Sequence, residues 1–271
     1  MTYFLNFIFD KFRIFYFAKI DYIRQNFRKP SNLTREKVTQ PRMKKDKNQN
    51  VLIIVAHTDD ETLGMGGTIC RHIDEGDNVF AVSMTDGISS RKEYKKKAAI
   101  DRNIASKKAS SELGFNWIKQ ESYPDNELDS ISLIRVVRSI EEVKRKVNPK
   151  IIYTHSSADL NIDHRIVNQA TLTAFRPKSN EEWIEIRAFE IPSSTDYGHK
   201  SITSTFYPNL YIDITKFFNM KIKALKNYEE EMLSTPNSRS FEGIQNLAKY
   251  RGNQVGLEYA ESFEILRKID R

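Results

Sequence analysis

The stretch Val51–Thr68 constrains the fold of this chain more than any other part of its sequence. Its first six residues, Val51–Ala56, are all apolar. An unbroken apolar run of this kind predicts a strand buried in a parallel sheet. The run ends abruptly in His57, Thr58 and three consecutive acids. Open α/β sheets bind ligands outside the carboxyl ends of their strands, so the sequence predicts a site at this point.

His57 and Asp60 are three residues apart across the predicted strand-to-helix turn, so both side chains can face one position. An imidazole nitrogen and a carboxylate oxygen are common ligands of zinc and similar divalent ions. Asp59 lies between them and must point elsewhere. A carboxylate beside a metal, but not bound to it, is well placed to take a proton from metal-bound water.

Two other interpretations of this turn compete with a metal site. The acids could cap the N-terminus of a helix, where negative charge is favoured, but a cap does not explain the preceding histidine. Gly64, Gly66 and Gly67 could belong to a dinucleotide-binding turn. However, they follow the acids, they lack the G-x-G-x-x-G spacing, and three carboxylates would repel a pyrophosphate. The metal site is therefore the favoured interpretation.

A second predicted strand, Lys150–Thr154, also releases polar side chains at its carboxyl end. The segment that follows contains His155, Asn161 and His164 and precedes a helix predicted over Ile166–Phe175. His164 would complete a set of three ligands and leave a fourth position for water, as in a catalytic zinc site. A lone histidine is more often a satisfied polar residue, but two strand ends of this kind favour a metal centre.

These two segments resemble the motifs of the zinc-dependent de-N-acetylases named after PIG-L and LmbE. The family's A-H-P-D-D-E motif reads Ala56-His57-Thr58-Asp59-Asp60-Glu61 here, and its x-x-D-H motif reads Asn161-Ile162-Asp163-His164. The resemblance implies that His57, Asp60 and His164 bind Zn²⁺ or another divalent metal. It implies that Asp59 is the general base and that metal-bound water is the nucleophile. The implied reaction removes an acetyl or other acyl group from the nitrogen of an amino sugar or glycoconjugate.

A further match, from Arg102 to Gly114, resembles the family's arginine helix and implies that Arg102 binds the substrate. A solvated helix face is the alternative for Arg102. Arg91, in the loop after the second predicted strand, is a weaker substrate candidate, because a plain surface arginine is more common. Relatives with an H-P-D-H motif have a histidine where this chain has Asn161. Either Asn161 or His155 is therefore expected to donate a hydrogen bond to the developing oxyanion.

The alternation of strands and helices after residue 51 predicts an α/β fold with a Rossmann-like, mostly parallel sheet flanked by helices. The 271 residues suit one large domain, 51–271, preceded by an N-terminal extension and linker, 1–50. A helical C-terminal region is predicted to include Gly256–Ile265. The single cysteine, Cys70, excludes an internal disulfide framework and fits a reducing, cytoplasmic location.

The N-terminal extension differs in composition from the rest of the chain. Residues 1–50 contain 12 lysines and arginines and 4 acidic residues, so they account for the whole net charge of +7. The remainder is not basic, and no nucleic-acid partner is predicted. Residues 1–27 mix aromatic and basic side chains, which predicts a helix on an anionic membrane surface, on its own domain, or on a second subunit of a homo-oligomer.

Two non-enzymatic functions compete with hydrolysis. The chain could be a metal- or glycan-binding module that has lost catalysis, for which the departure at Asn161 is the support. It could also be a scaffold tethered through residues 1–27. Retention of Asp59 favours the enzyme.

Overall fold

The computed structural model describes residues 48–90, 96–199 and 201–270. The strands in these ranges form one sheet in the order β3-β2-β1-β4-β5-β7-β6. They are β1 (Asn50–Val55), β2 (Asn78–Thr85), β3 (Asn116–Tyr123), β4 (Ile151–His155), β5 (Glu185–Phe189), β6 (Leu210–Asp213) and β7 (Ala260–Lys268). The pairs from β3 to β5 are parallel, and β7 is antiparallel to both of its neighbours. The predicted α/β, mostly parallel architecture is confirmed.

Helices cover both faces of the sheet. They are α1 (Asp60–Asp74), α2 (Lys96–Leu113), α3 (Leu133–Val147), α4 (Ile162–Ala174), α5 (Phe218–Leu225) and α6 (Phe241–Asn253). Alternation along β1 explains the two layers. Val51, Ile53 and Val55 share a core with α1, α2, α5 and α6. Leu52 and Ile54 face the opposite way and pack with α3 and α4.

The order of the strands places two strand-to-helix turns side by side. β1 pairs directly with β4, with Val51 opposite Ile151 and Ile53 opposite Tyr153. Strands β2 and β3 lie on one side of β1 in the sheet, and β4 is the first strand on its other side. Ligands of doubly wound sheets bind at such a reversal. The turns after β1 and β4 therefore meet at one edge of the sheet, although they are far apart in sequence.

Helix α4 begins earlier than the predicted Ile166. It starts at Ile162, so His164 lies in its first turn rather than in the preceding loop. The side chain of Asn161 explains the early start, because its Oδ1 accepts the backbone N–H of Asp163 at 2.8 Å. Asparagine is a favourable N-cap because it satisfies one of the unpaired N–H groups of the first turn.

The predicted helical C-terminal region is wrong in its last part, because Ala260–Lys268 is strand β7. Its glutamate, leucine and lysine residues are good helix formers. However, the segment lies between β5 and β6, where Phe263 pairs with Phe189 on one side and with Leu210 on the other. Phe263 is fully buried. Tertiary pairing on both edges outweighs the local preference of the segment.

A buried ion pair supports an interruption in α1. The backbone of Met65 is not helical, with φ −149° and ψ 24°. Lys221 Nζ donates to the carbonyl of Leu63 at 2.8 Å and to Glu261 Oε1 at 2.6 Å. The same carboxylate accepts two backbone N–H groups just after the interruption. The pair thereby satisfies the helix ends that the interruption creates.

Several sequence predictions fall outside the described residues. These are the helix over residues 1–27, the linker that follows it as far as residue 47, and Arg91. Among the helices that the structure does describe, none combines the length and the apolar character that a membrane span requires.

Candidate active site

Three side-chain atoms converge beyond the carboxyl ends of β1 and β4. His57 Nδ1 lies 3.2 Å from Asp60 Oδ2 and 3.2 Å from His164 Nε2. The third side of the triangle, from His164 Nε2 to Asp60 Oδ2, is 3.4 Å. All three residues are buried. The structure thus brings together the three side chains predicted to bind a metal, and we call these three residues the ligand cluster.

Carboxylates lie against the outer nitrogens of both imidazoles. His57 Nε2 is 2.9 Å from Asp125 Oδ1 and 3.3 Å from Asp163 Oδ2. His164 Nδ1 is 2.9 Å from Asp159 Oδ2. An imidazole nitrogen that faces a carboxylate carries the proton, so the inner nitrogen of each neutral ring presents a lone pair. The ligand cluster therefore consists of three acceptors that face one another.

A cluster of acceptors fits a cation. In a tetrahedral site with metal–ligand bonds of about 2.0–2.1 Å, neighbouring ligand atoms are about 3.3 Å apart, and the separations here are 3.2, 3.2 and 3.4 Å. Two nitrogens and one carboxylate oxygen suit zinc and several other divalent ions. Carboxylates on the outer nitrogens are the usual supports of metal-binding histidines. The donor set could hold a divalent ion without rearrangement.

The surrounding acids make the ligand cluster favour positive charge. Burial acts to lower the pKa of His57, but Asp60 and two hydrogen-bonded carboxylates raise it well above its ordinary value. Burial also acts against charge on His164, where Asp159 and Asp60 raise the pKa to about 9. The same electrostatic field that stabilises a protonated imidazole would stabilise a metal cation in its place.

Asp59 lies beside the ligand cluster but not in it. Its Oδ1 accepts a hydrogen bond from Arg102 Nη2 at 2.8 Å, and its Oδ2 is 3.5 Å from Arg239 Nη1. Burial raises the pKa of Asp59, Arg102 lowers it and Asp60 raises it, which leaves the pKa above its ordinary value. A carboxylate with a raised pKa that is free of the ligand cluster suits proton transfer near neutral pH.

Arg102 does not lie on a solvated helix face. Besides its contact with Asp59, its Nε donates to Thr58 Oγ1 at 3.0 Å, and its Nη1 lies 2.6 Å from Glu231 Oε1. Gly87, with φ +65°, allows this close packing, because a Cβ there would lie 2.7 Å from Arg102 Nε. The guanidinium is therefore fixed in the wall of the site.

An open cleft of about 220 Å³ gives access to the ligand cluster. Among the described residues, its walls are polar or glycine: they comprise His57, Asp59, Asp60, Gly87, Ser90, Arg102, Asp125, Asn126, Asn161, His164, Glu231 and Arg239. Ligand pockets are usually lined mainly by apolar side chains. A cleft without them suits a ligand rich in hydroxyl and amide groups.

The two candidate oxyanion donors differ in position. Asn161 lines the cleft, but its Oδ1 caps α4 and its Nδ2 donates to Asn126 Oδ1 at 3.0 Å. His155 does not line the cleft. It is fully buried, its Nε2 accepts the backbone N–H of Ala56 at 2.9 Å, and its ring stacks on His164 with centroids 3.9 Å apart.

The expected role of His155 therefore needs correction. Burial, reinforced by the neighbouring His164, lowers the pKa of His155 to about 4, so the ring is neutral at pH 7. A neutral ring whose Nε2 is occupied by a backbone N–H cannot reach a substrate in the cleft. His155 instead packs behind His164 and fixes the plane of that ring.

Three charged residues of the cleft, Asp125, Glu231 and Arg239, are not among those predicted from the motifs. Asp125 follows β3, so the strand-end argument that applies to β1 and β4 could have found it. Arg239 gives no such signal. It meets Asp59 across 180 residues and belongs to none of the motifs. Only the packing of the C-terminal elements brings it to the site.

The buried Glu61 predicts a pH-dependent stability that can be measured in the metal-free protein. Its Oε1 accepts hydrogen bonds from Thr62 Oγ1 at 2.8 Å and from the Tyr228 hydroxyl at 3.1 Å. Burial raises the pKa of Glu61 to about 8. A carboxyl group whose pKa is raised by folding stabilises the fold below its unfolded pKa and loses that contribution as pH rises through the folded pKa.

We therefore expect Glu61→Gln to raise the Tm of the metal-free protein near pH 9, where the wild-type carboxyl is ionised, and to change it little near pH 5, where wild type is protonated. Thermal melts followed by circular dichroism measure this. The exposed Glu127→Gln serves as the control and should have no pH-dependent effect. An equal shift in Tm at both pH values would show that Glu61 does not titrate in this range.

A family model described as PIG-L, GlcNAc-PI de-N-acetylase, matches residues 52–175. Over these residues the chain is similar to the PIG-L family. The match includes most of β1, α1 and the first turn of α4, and therefore all three members of the ligand cluster. The resemblance predicted from the two motifs is confirmed.

Curated relatives extend the likeness beyond the residues that the family model matches. The uncharacterized deacetylase YaiS of Escherichia coli is 27% identical over 190 residues, which cover 68% of this chain and 92% of that protein. The diacetylchitobiose deacetylase of Thermococcus kodakarensis is 26% identical over 236 residues, which cover 82% of this chain and 84% of that protein. Both relatives are named deacetylases.

Solved structures share the fold. The N,N'-diacetylchitobiose deacetylase of Pyrococcus horikoshii superposes with a TM-score of 0.64 at 24% identity, over 80% of this chain and 84% of that one. GalB, the 4-carboxy-2-hydroxymuconate hydratase of Pseudomonas putida KT2440, superposes with a TM-score of 0.65 at 18% identity, over 82% and 98%. Because a deacetylase and a hydratase share it, the fold alone does not determine the reaction.

Proposed function

We propose that this chain is a metal-dependent hydrolase that removes the acetyl group from the nitrogen of an N-acetylated amino sugar or glycoconjugate. The observation that carries the proposal is the position of Asp59, a buried carboxylate beside the ligand cluster but outside it. The polar cleft and the two relatives named deacetylases support it. We assign the activity to residues 51–271 and regard residues 1–50 as an extension.

In the proposed reaction, a water oxygen adds to the carbonyl carbon of the N-acetyl group, and the carbon–nitrogen bond then breaks. Asp59 takes a proton from the water and returns it to the leaving nitrogen, so the products are acetate and an amine. A divalent cation held by His57, Asp60 and His164 would supply Lewis acidity, which acidifies water and polarises the carbonyl. Arg102 holds Asp59 in place through their 2.8 Å contact.

A substrate panel tests the proposal. The full chain, purified with zinc added, is incubated with N-acetylated monosaccharides, chitin oligosaccharides and N-acetylglucosaminyl lipids, and acetate and free amine are measured together. We expect equimolar acetate and amine from at least one member. A protein that binds zinc and glycan but releases no acetate from any member would be a binding module, which would contradict the proposed hydrolysis.

The contact between Arg102 and Asp59 predicts a pH effect. Asp59 accepts a proton only as the carboxylate, so activity should fall as pH drops through its pKa. Arg102 lowers that pKa. Replacing it in Arg102→Gln should therefore move the acidic limb of the kcat profile to higher pH by on the order of one unit.

The midpoint of the limb is the readout, because it does not depend on how much activity survives the substitution. Arg176→Gln, which removes an exposed guanidinium at the end of α4, is the matched control and should leave the midpoint unchanged. A midpoint that stays in place in Arg102→Gln would mean that Asp59 is not the group that titrates.

A further inference from the structure

The residue that precedes His164 by three positions cannot supply a charged hydrogen-bond donor to the cleft. Asn161 occupies that position, and its amide already caps α4 and contacts Asn126. His155 lies behind the ligand cluster. A donor that carries full charge must therefore come from another part of the chain. Two guanidinium groups of the described residues, those of Arg102 and Arg239, line the cleft.

The two guanidinium groups differ in how many of their nitrogens already have a hydrogen-bond or ion-pair partner. All three nitrogens of Arg102 are engaged, by Thr58, Asp59 and Glu231. Arg239 is held mainly through its stem, where Nε donates to Ser193 Oγ at 2.8 Å. Its Nη1 lies 3.5 Å from Asp59 Oδ2, which is a long contact. Its Nη2 makes no hydrogen bond with the residues that the structure describes.

The loop after β5 holds Arg239 by a strained residue. Ser193 has φ +64°, a left-handed conformation that is uncommon for serine. Its hydroxyl and the carbonyl of Pro192 both accept from Arg239 Nε, the latter at 3.4 Å. Backbone strain of this kind persists only where the surrounding structure enforces it, often at functional sites. The strained loop fixes the stem and leaves the outer nitrogens of Arg239 directed to the cleft.

We propose that Arg239 donates a hydrogen bond to the carbonyl oxygen of the scissile amide, and afterwards to the acetate formed from it. This inference rests on the proposed function. The donor changes no covalent bond: water oxygen bonds to the carbonyl carbon, the bond to nitrogen breaks, and Asp59 transfers the proton. Arg239 stabilises the negative charge that develops on the oxygen between these events.

Three variants of Arg239 test whether it stabilises the charge that develops during the reaction. Loss of one such donor typically lowers kcat by about 10²–10³-fold. We expect kcat to fall by that factor in Arg239→Gln and by less in Arg239→Lys. In Arg239→Ala, added guanidinium should restore part of the lost kcat at concentrations far below those that unfold the protein. The exposed Arg176→Gln is the control and should match wild type. Circular dichroism melts verify that each variant folds.

Acetate binding gives a readout that needs no turnover. With zinc added, the full chain is titrated with acetate and followed by calorimetry or by ¹³C NMR of labelled acetate. A hydrogen bond to a charged group is worth about 1.5–3 kcal/mol, so Arg239→Gln should bind acetate at least about tenfold more weakly than wild type and than Arg176→Gln. Arg239→Lys should fall between them.

The outcomes are distinguishable. Wild type that releases acetate, with Arg239→Gln equal to it in both kcat and acetate affinity, overturns the inference and leaves the proposed function standing. Wild type that binds acetate in an Arg239-dependent way but hydrolyses no substrate removes the proposed function and keeps Arg239 as the anion donor. A loss in Arg239→Ala that guanidinium does not restore, together with unchanged acetate affinity, would assign Arg239 to loop structure alone.

Discussion

Replacing Asp59 by asparagine is expected to lower kcat by about 10²–10⁴-fold while zinc content stays at the wild-type level. Asparagine has the same shape and still offers an oxygen to Arg102, so the wall of the cleft should persist. It cannot take a proton from water. Because Asp59 contributes no atom to the ligand cluster, metal binding should not change. Acetate release and metal analysis on the same sample measure both quantities.

The exposed Asp74→Asn is a matched control for the Asp59 variant. It makes the same chemical change at the end of α1 and should leave both activity and zinc content at wild-type values. Acetate release by Asp59→Asn within a factor of about two of wild type would contradict the assignment of Asp59 as the base, since general acid–base catalysis contributes far more than that.

Replacing His164 by alanine is expected to abolish tight zinc binding and, with it, hydrolysis. The substitution removes one of the three proposed ligands. The resulting loss of zinc affinity should exceed the 10–100-fold weakening that is typical when an outer support of a ligand is removed. Asp159→Asn replaces the carboxylate that contacts His164 Nδ1, and it should weaken zinc binding only by that smaller factor. Competition with a chelator of known affinity measures zinc binding in each variant.

His199 offers the control for His164. It is exposed, its ring contacts Ser201, and it belongs to none of the metal-compatible clusters of the described residues. His199→Ala should therefore bind one zinc ion as tightly as wild type. Unchanged zinc affinity in His164→Ala would show that the metal is held elsewhere.

Much of the fold follows from the sequence because buried parallel strands carry a local signature. The run Val51–Ala56 and the segment after Lys150 both predict strands, and polar side chains at their ends predict a site. The adjacency of β1 and β4 follows from the way doubly wound sheets are ordered. That adjacency brings His164 to His57 across 107 residues.

The remaining features depend on packing that no local pattern encodes. Strand β7 has helix-forming residues and becomes a strand only because β5 and β6 pair with it. Lys221 and Glu261 form a buried pair across 40 residues, beneath an interruption in α1 that the sequence does not reveal. Arg239 reaches Asp59 only when the C-terminal elements are in place.

The orientation of buried polar side chains is equally hard to predict. His155 follows a predicted strand, just as His57 does, yet it points behind the ligand cluster because strand β4 extends through it. Whether residues 1–27 contact a membrane, their own domain or a second subunit, and whether the protein is cytoplasmic, stay predictions from the sequence.

Anomalous diffraction from crystals of the zinc-loaded full chain tests the central claim most directly. We expect a single strong peak about 2.0–2.2 Å from His57 Nδ1, Asp60 Oδ2 and His164 Nε2, the bond lengths that zinc makes with nitrogen and carboxylate oxygen. Asp59 should remain outside the coordination sphere, on Arg102. A peak at another set of side chains, or a zinc ion bound by Asp59 itself, would contradict the account.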